Sequence, residues 1–252
     1  PSGTATFAVH LNSQPTADVT IALASSDTTE STPSPASLTF TAANWNVDQT
    51  VTVTAVDDAF ADGSQPSTIT LTPTGGDYTG ITVASVSVTT TDDDAAGLTV
   101  SPNAVTVSEA GSTASFTAVL NSQPTGDVTV TISGNDATEA SLSPASLTFT
   151  SANWNVAQTV TVTGVDDALD DGDQNFTLTL TPSGADYGSV APQSVAVTTT
   201  DNDTAGVTVA GGPITVSETG TTGTFTVLLT AQPVGPVVIT LAPSDPSEVS
   251  VA

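Results

Sequence analysis

Lysine and arginine are absent from all 252 residues, against 26 aspartates and glutamates, so the formal charge is −26. Nucleic acid and anionic membrane surfaces are excluded as partners, because binding either takes cationic side chains. Without lysine there is no lysine–asparagine isopeptide crosslink. Cysteine is also absent. That removes disulfides, thiol redox chemistry and thiolate metal sites. The one histidine, His10, gives way to Val119 and Leu228 at the equivalent positions further along, so it founds no recurring hydrolytic triad, and with no cysteine a zinc site lacks its usual ligands. Only 11 residues are aromatic, which leaves little for an exposed sugar-binding face. No stretch carries a 3.6-residue apolar period, so helices are not expected.

What the chain does have is a repeat, and a repeat fixes architecture. Leu11-Asn12-Ser13-Gln14-Pro15-Thr16 returns as Leu120-Asn121-Ser122-Gln123-Pro124-Thr125, an offset of 109 residues. Asn44-Trp45-Asn46-Val47 returns as Asn153-Trp154-Asn155-Val156, and Val56-Asp57-Asp58 as Val165-Asp166-Asp167. Glu109, Phe116 and Gln123-Pro124 return as Glu218, Phe225 and Gln232-Pro233. The period matches one small β-sandwich domain. Three copies are expected: residues 1–94 without the opening strand, a complete copy at 95–203, and the first part of a third at 204–252. The chain thus reads as a window on a longer tandem array.

Within a copy the residues alternate with period two. Gln158-Thr159-Val160-Thr161-Val162-Thr163 is typical, with Val and Thr on opposite faces of a half-buried strand. Seven strands are expected in the complete copy, near 104–108, 113–121, 127–133, 146–150, 158–165, 175–181 and 194–200. The fold class is all-β, an immunoglobulin-like antiparallel sandwich in tandem. The first strand's inner half should run parallel to the last.

Strand alternation then sorts the acidic residues by pole. In the complete copy Glu109, the 133–140 connection with Asp136 and Glu139, the 165–173 loop and the closing Asp201 and Asp203 all emerge at one end. That loop carries Asp166, Asp167, Asp170, Asp171 and Asp173. The first copy gathers Asp27, Glu30, Asp57, Asp58, Asp62, Asp92, Asp93 and Asp94, and the third begins with Glu218, Asp245 and Glu248. Of the 26 carboxylates, 21 fall at this pole, while Asp127 and Asp186 mark the other. Like charges 4–5 Å apart cost roughly 3–4 kcal/mol per pair at an effective dielectric near 20. With no internal cation, the counter-ions must come from solution. Hard oxygen donors from several loops suit Ca²⁺, which takes about 6–8 of them.

The alternative is that the aspartates serve only turn chemistry and solubility. Selective recurrence opposes it. Asp48 becomes Ala157, yet Asp27, Glu30, Asp57, Asp58, Asp62, Asp92 and Asp94 all return as acids, and Asp93 returns as Asn202. Paired aspartates also serve glycosidases, but their recurrence in every copy favours a structural metal, and no enzymatic role is expected. His10 should face solvent. Trp45 and Trp154 read as local hydrophobic plugs. Asn175-Phe-Thr and Asn202-Asp-Thr match glycosylation sequons, which a Thr-rich chain meets by chance.

Three elements together resemble the Calx-beta family: Val-Ser-Glu at 107–109 and 216–218, the loop Val-Asp-Asp-x-x-x-Asp-Gly at 56–63 with its counterpart at 165–172, and the Thr-Asp-(Asp/Asn)-Asp close of each copy. The Asn-Trp-Asn-Val turn resembles versions in long bacterial surface proteins. The resemblance implies a seven-stranded sandwich holding Ca²⁺ between that loop, the closing aspartates and the first-strand glutamate. In the complete copy it implies Glu109, Asp166, Asp167, Asp171, Asp201 and Asp203 as ligands, with Asp136, Asp170, Asp173 and the Leu169 carbonyl as additions. In the first copy Ala61 and Ser64 replace Asp170 and Asp173, so fewer or weaker ions are expected there.

The reading that follows is an extracellular stalk, filament or adhesin spacer. Its partners are neighbouring repeats of the same array, with self-association into filaments as an extension. A calcium-sensing module and a carbohydrate-binding module are the alternatives. A sensor binds near micromolar and an extracellular module near 0.1–1 mM, as order-of-magnitude ranges. The pole assignment is directly testable by calorimetric titration. Asp166→Ala or Asp201→Ala should weaken Ca²⁺ binding, and Asp127→Ala should leave it unchanged; equal behaviour of all three would refute the assignment.

Overall fold

The computed structural model describes residues 3–251. Residues 95–203 form two facing sheets around one core. The first sheet has the order β12-β14-β10-β8, with β8 Leu98–Ser101, β10 Thr113–Leu120, β12 Ala140–Ser143 and β14 Gln158–Gly164. The second has the order β13-β11-β15-β16-β9, with β9 Ala104–Ser108, β11 Val128–Ser133, β13 Ser146–Phe149, β15 Gln174–Ser183 and β16 Gln193–Thr200. Residues 3–90 repeat the plan: β1 Thr4–Val9, β5 Gln49–Ala55 and β3 Ser31–Ser34 face β4 Ser37–Phe40, β2 Val19–Ser25, β6 Gln65–Thr74 and β7 Val86–Thr90.

All seven expected segments of the complete copy are strands, and two short ones join them. The opening strand is split, so that β8 pairs with β10 in one sheet and β9 pairs with β16 in the other. Likewise the chain leaves β12 in one sheet and enters β13 in the other. At both crossings a proline, Pro102 or Pro144, follows the last ladder residue. Proline has no N–H to offer a ladder, which suits a strand that must end there. A period-two pattern is blind to such crossings, because the alternation continues through them.

The alternation itself sorts as expected. In β14, Val160 and Val162 are fully buried while Thr159 lies outward. Phe116, Phe149, Leu178, Leu180, Val128 and Val195 fill the same core. Each such side chain contributes about 1.5–3 kcal/mol when buried from water. The β9–β16 pairing is parallel, with Ala196 opposite Ala104 and Thr200 opposite Ser108. In residues 3–90, β1 and β7 are sheet edges, and Phe7, Val86 and Val88 are only partly buried. Trp45 and Trp154 pack against their cores from the turns that precede β5 and β14. His10 faces solvent and bonds Asp48 at 2.8 Å. Both positions lose their polar groups together in the next copy, as Val119 and Ala157.

Residues 204–251 hold one hairpin, β17 Val207–Ala210 with β18 Thr226–Leu229, and most of this segment is exposed. Its register copies β8 with β10: Val207 faces Leu229 as Leu98 faces Leu120.

At the pole away from the carboxylates, the Tyr187 hydroxyl donates to the Ser122 carbonyl at 2.7 Å and accepts from the Ser122 N–H at 3.1 Å. Both residues are fully buried. Tyr78 makes the same bonds to Ser13, but Ser13 is exposed. Tyr187→Phe strands buried polar groups and should cost about 1–3 kcal/mol. Tyr78→Phe lets water take over and should cost clearly less. Thermal or urea unfolding of the two variants compares them, and equal losses would contradict the burial difference.

Candidate metal centre

The register of β9 on β16 is what brings the first-strand glutamate to the closing aspartates. Ser108 lies opposite Thr200, so the next residues, Glu109 and Asp201, leave the sheet side by side. The Glu109 N–H donates to the Thr200 carbonyl at 3.2 Å. On the other sheet, β12 sits beside β14 with Ala140 opposite Gly164. The Val165 N–H then donates to the Glu139 carbonyl at 2.9 Å, which places Glu139 at the mouth of the 165–173 loop. In the first copy the Val56 N–H donates to the Glu30 carbonyl in the same way.

The loop is folded by its own carboxylates. Asp167 accepts from the Leu169 N–H at 2.7 Å, as Asp58 accepts from Phe60 at 2.9 Å. Asp201 accepts from the N–H groups of Gly172 and Asp203, each at 2.7 Å. Asp92 does the same with Gly63 at 2.7 Å and Asp94 at 2.8 Å. Gly63 and Gly172 have φ of 77° and 74°, a conformation that glycine alone adopts without penalty. Asp173 accepts from the Asp201 N–H, and Asp170 from the Ala205 N–H. Asp166 accepts from the Asn202 side-chain amide at 3.2 Å.

Two trios of carboxylates converge in the second copy, each with ligand oxygens within 4.8 Å of one another: Glu109 with Asp201 and Asp203, and Glu109 with Glu139 and Asp167. Glu109 is common to both. In the first copy Glu30, Asp57, Asp58, Asp62, Asp92, Asp93 and Asp94 line one cleft. Asp27 and Asp136 sit at the same pole, but each has one carboxylate oxygen occupied by the N–H and hydroxyl of the threonine two residues on. The glutamates that follow, Glu30 and Glu139, reach inward instead. The sequence put Glu139 at this pole but counted Asp136, not Glu139, among the added ligands; in the structure Glu139 joins a trio and Asp136 belongs to neither. Glu218 is exposed and belongs to neither trio. Asp127 and Asp186 lie at the far pole, where Asp186 accepts from the Thr125 N–H at 3.1 Å and the Asp127 carbonyl meets Gly184.

Glu109 and Glu139 are buried, 1% and 6% exposed, and one oxygen of each, Oε2, has no hydrogen-bond partner. Asn135 Oδ1, just before Asp136, is orphaned too. A buried, unpaired carboxylate oxygen is costly unless a cation meets it. The electrostatics agree. Burial raises the Glu109 pKa, helped by the charges of Asp167, Asp201 and Glu139 and opposed by the Asn202 N–H. Burial also raises Glu139, with Asp171, Asp136 and Asp167 adding to it. Asp203, Asp94 and Glu30 are raised by the same two causes. Asp201 and Asp92 are lowered, chiefly by the N–H groups they accept. An all-oxygen set of this kind fits a hard divalent cation and offers nothing to a soft one.

The sequence model of the Calx-beta domain matches residues 1–94 and again residues 91–203. The chain belongs to the Calx-beta family. Among solved structures, this Calx-beta chain is similar to the apo-form Calx CBD1 domain, at 20% identity over 43% of this chain and 98% of that one, TM-score 0.34. It is also similar to CBD12 from CALX1.2, at 16% identity over 73% and 76% of the two chains, TM-score 0.34. The calcium binding domain CBD12 of CALX1.1 gives 16% identity over 73% and 75%, TM-score 0.35. No curated protein matches the chain.

The raised carboxyl groups predict proton linkage. A folded-state pKa above the unfolded value means the metal-free fold holds protons more tightly. That stabilisation is present below the unfolded pKa and is lost as pH rises through the raised value. A divalent cation must displace those protons, so its binding should tighten with rising pH and release protons in mildly acid solution. Titration of Ca²⁺ at pH 5 to 8 in buffers of different ionisation enthalpy measures this. Glu139→Gln should reduce the release, and zero release throughout would contradict the assignment.

Proposed function

We propose that the chain is a piece of an extracellular structural array, a stalk, filament or adhesin spacer, whose Calx-beta repeats are stiffened by Ca²⁺ bound at the carboxylate pole. One observation carries this reading: the loop whose carboxylates converge is also the loop that touches the next repeat. Phe60 bridges to Gln123, and Leu169 bridges to Gln232 in the same parallel sense. The Gln123 N–H donates to the Ala59 carbonyl at 2.7 Å, and the Gln232 N–H donates to the Ala168 carbonyl. The segment that closes each repeat, Asp92–Asp94 or Asp201–Asp203, is at once part of the acidic cluster and the start of the linker. Ions at Glu109, Glu139, Asp167, Asp201 and Asp203 would therefore order the loop, the linker and the joint together. The Ca²⁺ supplies the positive charge; the chain supplies hard oxygens already aimed at one place.

A surface array suits the composition. Net negative charge keeps copies apart in the absence of ions, and a fold without cysteine or a large core gains from a metal staple. The array's partners are its own neighbouring repeats, with lateral association into filaments as a further step. A calcium-sensing module is the second reading; it rests on the same carboxylates and demands binding about a hundredfold tighter than an extracellular module.

The expected results are specific. Ca²⁺ should stabilise each site by about 2.7 kcal/mol at a hundredfold excess over Kd, so melting in millimolar Ca²⁺ and in EDTA should differ strongly. Small-angle scattering should show an elongated particle in Ca²⁺ that broadens on chelation. Each repeat should advance it by roughly 40–50 Å, extrapolating from about 3.3–3.4 Å per strand residue plus loops. Identical melts would remove calcium from the account. A compact globule in Ca²⁺ would remove the stalk.

A further inference from the structure

The two joints are built alike but not fastened alike. In both, the acidic loop bridges to a Gln-Pro turn of the following repeat. The second loop carries two carboxylates that the first lacks, Asp170 and Asp173 where the first has Ala61 and Ser64. Neither belongs to the converging trios. Both instead reach the segment leading into the following repeat. Asp173 Oδ1 accepts from the Asp201 N–H at 3.2 Å, and Asp170 Oδ2 accepts from the Ala205 N–H at 2.7 Å. Ala205 is the residue before Gly206, whose carbonyl accepts from the Thr230 N–H at 2.9 Å inside the third repeat's hairpin. One charge-assisted bond thus connects the metal loop of one repeat to the first hairpin of the next. The residue equivalent to Ala205 is Ala96, and Ala61 has no side-chain oxygen to offer it.

We propose that Asp170 is a joint-coupling residue: its carboxylate ties the linker at Ala205 to the ion-binding loop, so that ion uptake in the second repeat is passed to the third by a contact the first joint does not have. The inference rests on the calcium reading above. Its physical basis is linkage: a tie helps the ion to order the linker only if the loop is more ordered with the ion than without it. The bridge at Leu169 holds the turn of the third repeat, and the Asp170 bond holds its linker, giving two separated points of attachment. Two points fix an angle, whereas one leaves a hinge. Along an array, exchanging alanine for aspartate at this single loop position sets which joints follow the ion and which swing.

The test uses the whole chain, whose lack of cysteine makes introduced spin labels unique. Thr39→Cys with Thr148→Cys reports the first joint, and Thr148→Cys with Thr208→Cys reports the second; all three positions are exposed. Pulsed dipolar spectroscopy gives the width of each distance distribution with CaCl₂ and with EDTA, and calorimetry counts the ions bound. The expected result is that Ca²⁺ narrows the second joint more than the first. Asp170→Ala should cut the narrowing of the second joint by at least half, and Asp170→Asn, which keeps an acceptor oxygen for the Ala205 N–H, should retain most of it. Ala61→Asp should add narrowing to the first joint. Undiminished narrowing in Asp170→Ala overturns the proposal. So does an Asp170→Asn variant that fails as badly as the alanine, since its carboxylate would then act as an ordinary ion ligand. If the unaltered chain binds Ca²⁺ without narrowing either joint, the stiffening reading falls along with the coupling, and if it binds none, the calcium reading falls first.

Discussion

The parallel pairing of β9 with β16 is the contact on which the rest depends. An antiparallel neighbour would send Glu109 to the opposite pole from Asp201. The parallel register places them side by side, and the fold then gathers like charges that nothing in the chain can neutralise. Splitting the opening strand makes this possible: β8 satisfies the edge of one sheet, and β9, crossing over at Pro102, satisfies the other. The cost of gathering the charges sits on Glu109 and Glu139, which are buried with an orphaned oxygen each.

That arrangement sets up a division of labour around the pole. Backbone N–H groups from Gly172 and Asp203 hold Asp201, and they depress its pKa, so it stays ionised. Glu109, Glu139 and Asp203 have less help and hold protons more readily. Under the calcium reading, a cation entering the cluster would meet carboxylates already oriented by the fold and would compete with protons for Glu109, Glu139 and Asp203. The loop that carries these carboxylates also bridges to the next repeat, so under the proposed function an ion that ordered the loop would order the joint with it. The far pole is held by other contacts, the Tyr187–Ser122 bonds and the turn from which Trp154 packs on the core.

Much of this was legible in the chain. The 109-residue offset and the Val/Thr alternation gave the sandwich, its seven main strands and the pole that the acids share. Alternating direction is a consequence of short connections, so it could be followed from strand to strand without coordinates. The missing positive charge was equally plain and pointed to an external counter-ion.

Other features belong to the tertiary structure alone. The two sheet crossings leave no trace in a period-two pattern, because inside and outside alternate identically in either sheet. That Glu139 joins a converging trio while Asp136 is held in a turn by Thr138 is set by the packing of the connection, which the order of residues does not show. The bridges from Phe60 to Gln123 and from Leu169 to Gln232 join residues more than 60 positions apart, and only the packing of one domain end on the next brings them together. Sequence determined which groups exist and which end of each strand they occupy, since those follow from local periodicity. Register and docking decided which of them meet, since those follow from the fit of whole surfaces.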